Sequence, residues 1–113
     1  MKYIKFNIFE EYSDVIVHGI TERGTDFMHA DPNSSIFKDS KTILARELGV
    51  MDRDLFFINQ VHDKKIKVVG DASINNIEDY DGLITSSKCK ALCTCFADCV
   101  PLLFFDPVNN VIA

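Results

Sequence analysis

The stretch Leu55-Phe56-Phe57-Ile58-Asn59-Gln60-Val61-His62-Asp63-Lys64-Lys65-Ile66-Lys67-Val68-Val69 sets the fold class. Its first half is an aromatic and β-branched run, too short for a buried helix and flanked by polar residues, so residues 55–61 read as a strand. The second half, residues 66–69, reads as another strand, and His62-Asp63-Lys64 is the polar turn between them. His62 stands at the end of this strongly apolar strand, where scaffolds present catalytic and ligand groups.

Outward from this pair the pattern stays strand-rich. Gly82–Thr85 is short and apolar, 91–97 and 100–105 read as strands, Asp106-Pro107-Val108-Asn109-Asn110 is a turn, and Val111-Ile112-Ala113 opens a further strand. Residues 70–80 are polar and loop-like. Toward the N-terminus, Ile43, Leu44 and Leu48 recur at helical spacing before Gly49, which places a helix at about 39–48. Residues 21–37 carry Gly24, Asp31-Pro32-Asn33 and Ser34-Ser35, the punctuation of a long loop. Asp14–Ile20 reads as a strand through Val15-Ile16-Val17, and residues 2–9 alternate with period two as another. One helix with seven or eight strands gives α+β or mixed α/β.

The whole chain has 113 residues, 47% hydrophobic and 26% charged, which suits one domain. Twelve basic against seventeen acidic residues leave a net charge of -5. A duplex-binding surface needs a basic excess, so no nucleic-acid partner is expected. The longest apolar stretch, Val100-Pro101-Leu102-Leu103-Phe104-Phe105, is far short of a membrane span, so no membrane partner is expected. The N-terminus has no signal-peptide pattern, which favours the cytoplasm.

Cys89, Cys93, Cys95 and Cys99 crowd into one segment with the spacing C-x3-C-x-C-x3-C, unlike a disulfide framework or a zinc ribbon. Cys93 and Cys95, on one face of the expected 91–97 strand, read as small buried hydrophobes. Cys99 follows Asp98 at a break between two apolar runs, where a thiol can face a cleft or be buried with Asp98 capping the turn. A thiolate and an imidazole together suit zinc, and Cys99 with His62 supplies two of the three protein ligands that a catalytic zinc uses. His18 and His29 have no evident link to them. The same pair also suits a metal-free cysteine nucleophile. Asp79-Tyr80-Asp81 reads as solvated loop.

Asn59-Gln60-Val61-His62, then Asp81-Gly82-Leu83-Ile84-Thr85, then Ala97-Asp98-Cys99-Val100-Pro101-Leu102-Leu103-Phe104-Phe105-Asp106-Pro107 appear in that order. Together with His18-Gly19-Ile20-Thr21-Glu22-Arg23 they resemble the YfiH-type family. That family has long been labelled laccase-domain or multicopper polyphenol oxidoreductase and is associated with purine nucleoside phosphorylase and adenosine deaminase activity. The resemblance implies a layered α/β/β/α sandwich with mixed sheets, of which residues 1–113 are the N-terminal part. It implies a zinc site, with copper as the other metal, held by His62, Cys99 and a second histidine from a His-x-Gly-Trp-Arg-Gly block beyond the strand that begins at Val111. The site is thus expected to be divided after its second ligand, and the 113-residue chain to be inactive alone.

Purine nucleosides and phosphate are the implied partners, with Asp98 orienting a neighbouring group. Arg23 and Lys41 are candidates for the phosphate contact. Here the chain departs from the family: Arg23-Gly24-Thr25-Asp26 replaces Arg-x-Gly-Gly, and Ser40-Lys41 replaces Asn-Arg. A lysine attracts phosphate as a point charge but lacks the bidentate fork of arginine. The alternatives are a metal-free hydrolase acting on amide bonds, such as those of cell-wall precursors, and a non-catalytic interaction module. A homodimer that covers the apolar strands is a further expectation.

Overall fold

The computed structural model describes residues 3–22, 34–71, 76–96 and 98–113. The chain divides into two compact units, Met1–Gly49 and Val50–Ala113.

In the first unit, β1 (Tyr3–Ile4) pairs antiparallel with β2 (Ile20–Thr21). A side chain at Gly19 would place its Cβ 2.5 Å from the Tyr3 ring, so the close approach of the two strands requires glycine there. The long strands expected at 2–9 and 14–20 are not formed. Residues Asn7–Tyr12 coil instead into a 3-10 helix. The cause is His18, whose Nε2 accepts the Phe6 N–H at 2.8 Å while its ring stacks on Phe6 and meets the edge of Phe9 at 4.9 Å. Both phenylalanines must turn toward one imidazole, which a flat strand cannot do.

The helix α1 (Ser35–Leu48) starts four residues before its expected position. Ser34, one of the apparent loop residues, is its N-cap and accepts the Phe37 N–H through Oγ at 3.2 Å. Gly49 closes the helix with φ 71°, the left-handed conformation that glycine adopts without steric cost. Phe37, Ser40 and Ala45 are buried and Lys41, Leu44 and Leu48 half-buried, so these six mark the inner face. Ile43, part of the expected apolar face, is exposed.

Three sheets are described in the second unit. In the first, β3 (Leu55–Asn59) lies between β5 (Asn76–Glu78) and β7 (Ala91–Cys93), all three parallel. In the second, β4 (Ile66–Val68) runs parallel to β6 (Gly82–Ile84). The hairpin of β8 (Phe105–Asp106) and β9 (Val111–Ile112) joins β6 through a pair of backbone hydrogen bonds between Thr85 and Ile112. The expected strand at 91–97 stops at Cys93, so the alternation that would put Cys95 on its face does not extend that far. Cys93 and Cys95 are both half-buried rather than buried. Residues 100–103 are not strand: Pro101 lacks an N–H, and no described strand pairs with them.

Leu55, Phe56, Phe57 and Ile58 are all buried, so β3 is covered on both faces. Phe56 and Ile58 on one face meet Ile77 from β5, Leu83 from β6 and Val69 beyond β4, with Tyr80 and Leu92 against them. The first two sheets therefore share one core, in a mixed α+β fold. Burying a side chain such as Phe56 contributes about 1.5–3 kcal/mol. Lys90 and Asp54, just before β7 and β3, form a half-buried ion pair at 2.7 Å that ties the starts of these neighbouring strands. Thr85, fully buried, donates its hydroxyl to the Val69 carbonyl at 2.6 Å. No helix among the described residues is long and apolar enough to cross a membrane.

Candidate functional site at the ends of the parallel strands

The chain crosses from the first sheet to the second twice, from β3 to β4 and from β5 to β6. Because β3 is parallel to β5 and β4 to β6, the two crossings run side by side. Each contains a non-glycine residue with positive φ, His62 at 60° in the first and Asp79 at 65° in the second. Such a conformation costs an ordinary side chain energy and persists only where surrounding contacts hold it.

In the first crossing those contacts are made through the backbone. Asp81 accepts the Val61 N–H at 2.9 Å and the His62 N–H at 2.8 Å on Oδ1, and the Asp63 N–H at 2.6 Å on Oδ2. Its own N–H donates to the Lys65 carbonyl at 2.9 Å. Beside this, Asn59 Nδ2 donates to Glu78 Oε2 at 2.9 Å across the ends of β3 and β5. Partial loss of hydration acts to raise the Asp81 carboxyl pKa, but the three backbone N–H donors and the nearby His62 imidazole outweigh it and hold the carboxyl below its ordinary value. The imidazole of His62 itself is exposed.

Asp98 and Cys99 are exposed and follow the C-terminal end of β7, the other neighbour of β3. In chain order His62 follows β3 by three residues and Asp98 and Cys99 follow β7 by five and six, and ligands of open α/β sheets bind beyond the carboxyl ends of such strands. Lys41 belongs to the other unit, on the inner face of α1, and Arg23 lies outside the described residues. Asp81, read from sequence as solvated loop, is instead the group that holds the His62 turn. The available signal was its place at the head of Asp81-Gly82-Leu83-Ile84-Thr85, where an aspartate opens a buried strand.

His62 and Cys99 have the donor chemistry of a zinc or copper ligand pair. Among the described residues, however, no group of three His, Cys, Asp or Glu is arranged to hold a metal ion. The described residues alone therefore do not fit a complete metal centre, which needs at least three protein donors.

Residues 23–113 match the family model described as multi-copper polyphenol oxidoreductase laccase. A purine nucleoside phosphorylase of Mycobacterium bovis is 30% identical over 85 residues, covering 75% of this chain and 34% of that protein. Purine nucleoside phosphorylase YlmD of Bacillus subtilis is 32% identical over 88 residues, covering 66% of this chain and 32% of that protein. The crystal structure of the Bacillus licheniformis hypothetical protein YfiH superimposes with a TM-score of 0.64 at 30% identity, over 67% of this chain and 32% of that one. The chain thus spans about a third of the length of the curated relatives it matches. With the family model matched from Arg23 to the last residue, the chain belongs to the multi-copper polyphenol oxidoreductase laccase family, the YfiH-type fold.

Proposed function

We propose that this chain carries part of the site of a purine nucleoside phosphorylase that also deaminates adenosine. The observation that carries the proposal is the placement of His62, Asp98 and Cys99 after the C-terminal ends of adjacent parallel strands, in a chain whose curated relatives are named purine nucleoside phosphorylase.

In phosphorolysis a phosphate oxygen bonds to C1′ of the ribose as the C1′–N9 bond breaks. The base leaves with the electron pair and takes up a proton, and ribose 1-phosphate remains. The chain's own side chains have three tasks in this scheme. Arg23 and Lys41 attract the phosphate anion. With no metal bound to it, the His62 imidazole at the strand end donates the proton that the departing base takes up. Asp98 and Cys99, beyond the end of β7, border the site, with Asp98 orienting the group beside it. In deamination, water adds at C6 of adenosine and ammonia leaves. His62 and Cys99 would supply two of the donors that a zinc or copper ion needs, and a third would have to join them before the ion could supply Lewis acidity.

The test is backbone amide shift mapping on the labelled chain with inosine and inorganic phosphate. Shifts concentrated in 59–63, 78–81 and 94–99, and larger with phosphate present, are expected. Shifts that avoid all three segments contradict the proposal.

A further inference from the structure

We propose that Asp81 is the positioning residue of the His62 side chain: its carboxylate fixes the turn that presents the imidazole at the end of β3. This rests on the reading of His62 as a functional group and deepens it.

Three observations converge. First, Val61, His62 and Asp63 direct three consecutive backbone N–H groups at one carboxylate, two to Oδ1 and one to Oδ2. Successive N–H groups in such a turn form a cradle for an anion, and here the chain fills it with its own side chain. Second, His62 stands in the centre of the cradle with φ 60°. A histidine left to itself favours negative φ, so this conformation requires an external hold, and among the described residues Asp81 is the acceptor of these three N–H groups. Third, Asp81 is itself fixed from behind. Its N–H binds the Lys65 carbonyl, and the next residues enter β6, whose Leu83 lies in the shared core. The rigid part of the unit thereby reaches the exposed imidazole through one carboxylate. A direct contact between Asp81 and a substrate is not needed for this role.

The chemistry of the cradle predicts a graded response. In Asp81→Ala all three N–H groups lose their acceptor. In Asp81→Asn one oxygen remains, so Val61 and His62 keep a partner while Asp63 faces an amide NH2, which cannot accept. The experiment is amide hydrogen exchange and proton NMR on the 113-residue chain and both variants, with the intraresidue HN–Hα cross-peak of His62 as the marker, since it is strong only at positive φ. In Asp81→Ala, exchange at 61–63 should accelerate at least about tenfold beyond any change at Phe56 and Leu83, consistent with loss of hydrogen bonds to a charged group, and the marker should weaken. In Asp81→Asn, which retains size and one acceptor, Asp63 should accelerate more than Val61 and His62. A merely structural role for Asp81 would accelerate core and turn amides alike and leave the marker intact, which overturns the proposal, as does unchanged exchange at 61–63 in both variants. These readouts are independent of the inosine shifts. Loosening of the turn in a chain that binds no nucleoside upholds the positioning and removes the functional reading, whereas nucleoside shifts at 59–63 with an unaltered turn do the reverse.

Discussion

At His62 the backbone and the side chain ask for different things. A functional imidazole must be held at a defined place, yet the left-handed conformation there is the one that glycine adopts freely. His62→Gly should therefore leave the chain at least as stable as the parent, and His62→Val, β-branched at positive φ, should lower stability by roughly 1–2 kcal/mol relative to His62→Gly. Urea denaturation of the two variants measures this, and equal stabilities would show that the turn is not constrained as described. His62 and Cys99 were legible as candidates because an imidazole and a thiol each follow an apolar run. Asp81 was not, because its role depends on three N–H groups 18 to 20 residues earlier in the chain, and no local pattern announces such a contact.

Among the elements, those that carry strong local signals matched expectation. The unbroken run of β3 and the Gly49 stop of α1 are both in place. β5 was missed because it is three residues long in a polar stretch and exists through its backbone pairing with β3. The N-terminal alternation misled because aromatic contact with His18 outweighs the period of the sequence. The β8–β9 turn offers a test at this scale. The Asn109 side-chain amide and the Val108 and Asn109 backbone N–H groups all donate to Asp106, and they hold its carboxyl below its ordinary value of 3.8. The turn binds the ionised form, so its contribution is complete above that ordinary value and is lost as the pH falls through the lower folded-state value. Val108 and Asn109 amide shifts followed against pH should titrate with a midpoint below 3.8. A midpoint at or above it would mean that these bonds do not hold the turn in solution.

For the molecule as a whole, sequence motifs and three-dimensional likeness lead to the same family, and the two sheets with their shared core are the part of the expected sandwich that the second unit displays. The candidate site was less legible. His62, Asp98 and Cys99 follow strands of the second unit, and the described residues gather no three-donor metal group. The relatives are about three times as long as the matched region, so turnover is tested on this chain extended by the residues that follow the matched region in the Bacillus subtilis protein. The measurement is phosphorus NMR of that extended chain with inosine and phosphate. The account predicts a growing ribose 1-phosphate signal, at least about a hundredfold slower in His62→Ala and in the 113-residue chain alone. A folded extended chain that forms no ribose 1-phosphate, or forms it equally fast without the His62 imidazole, would contradict it.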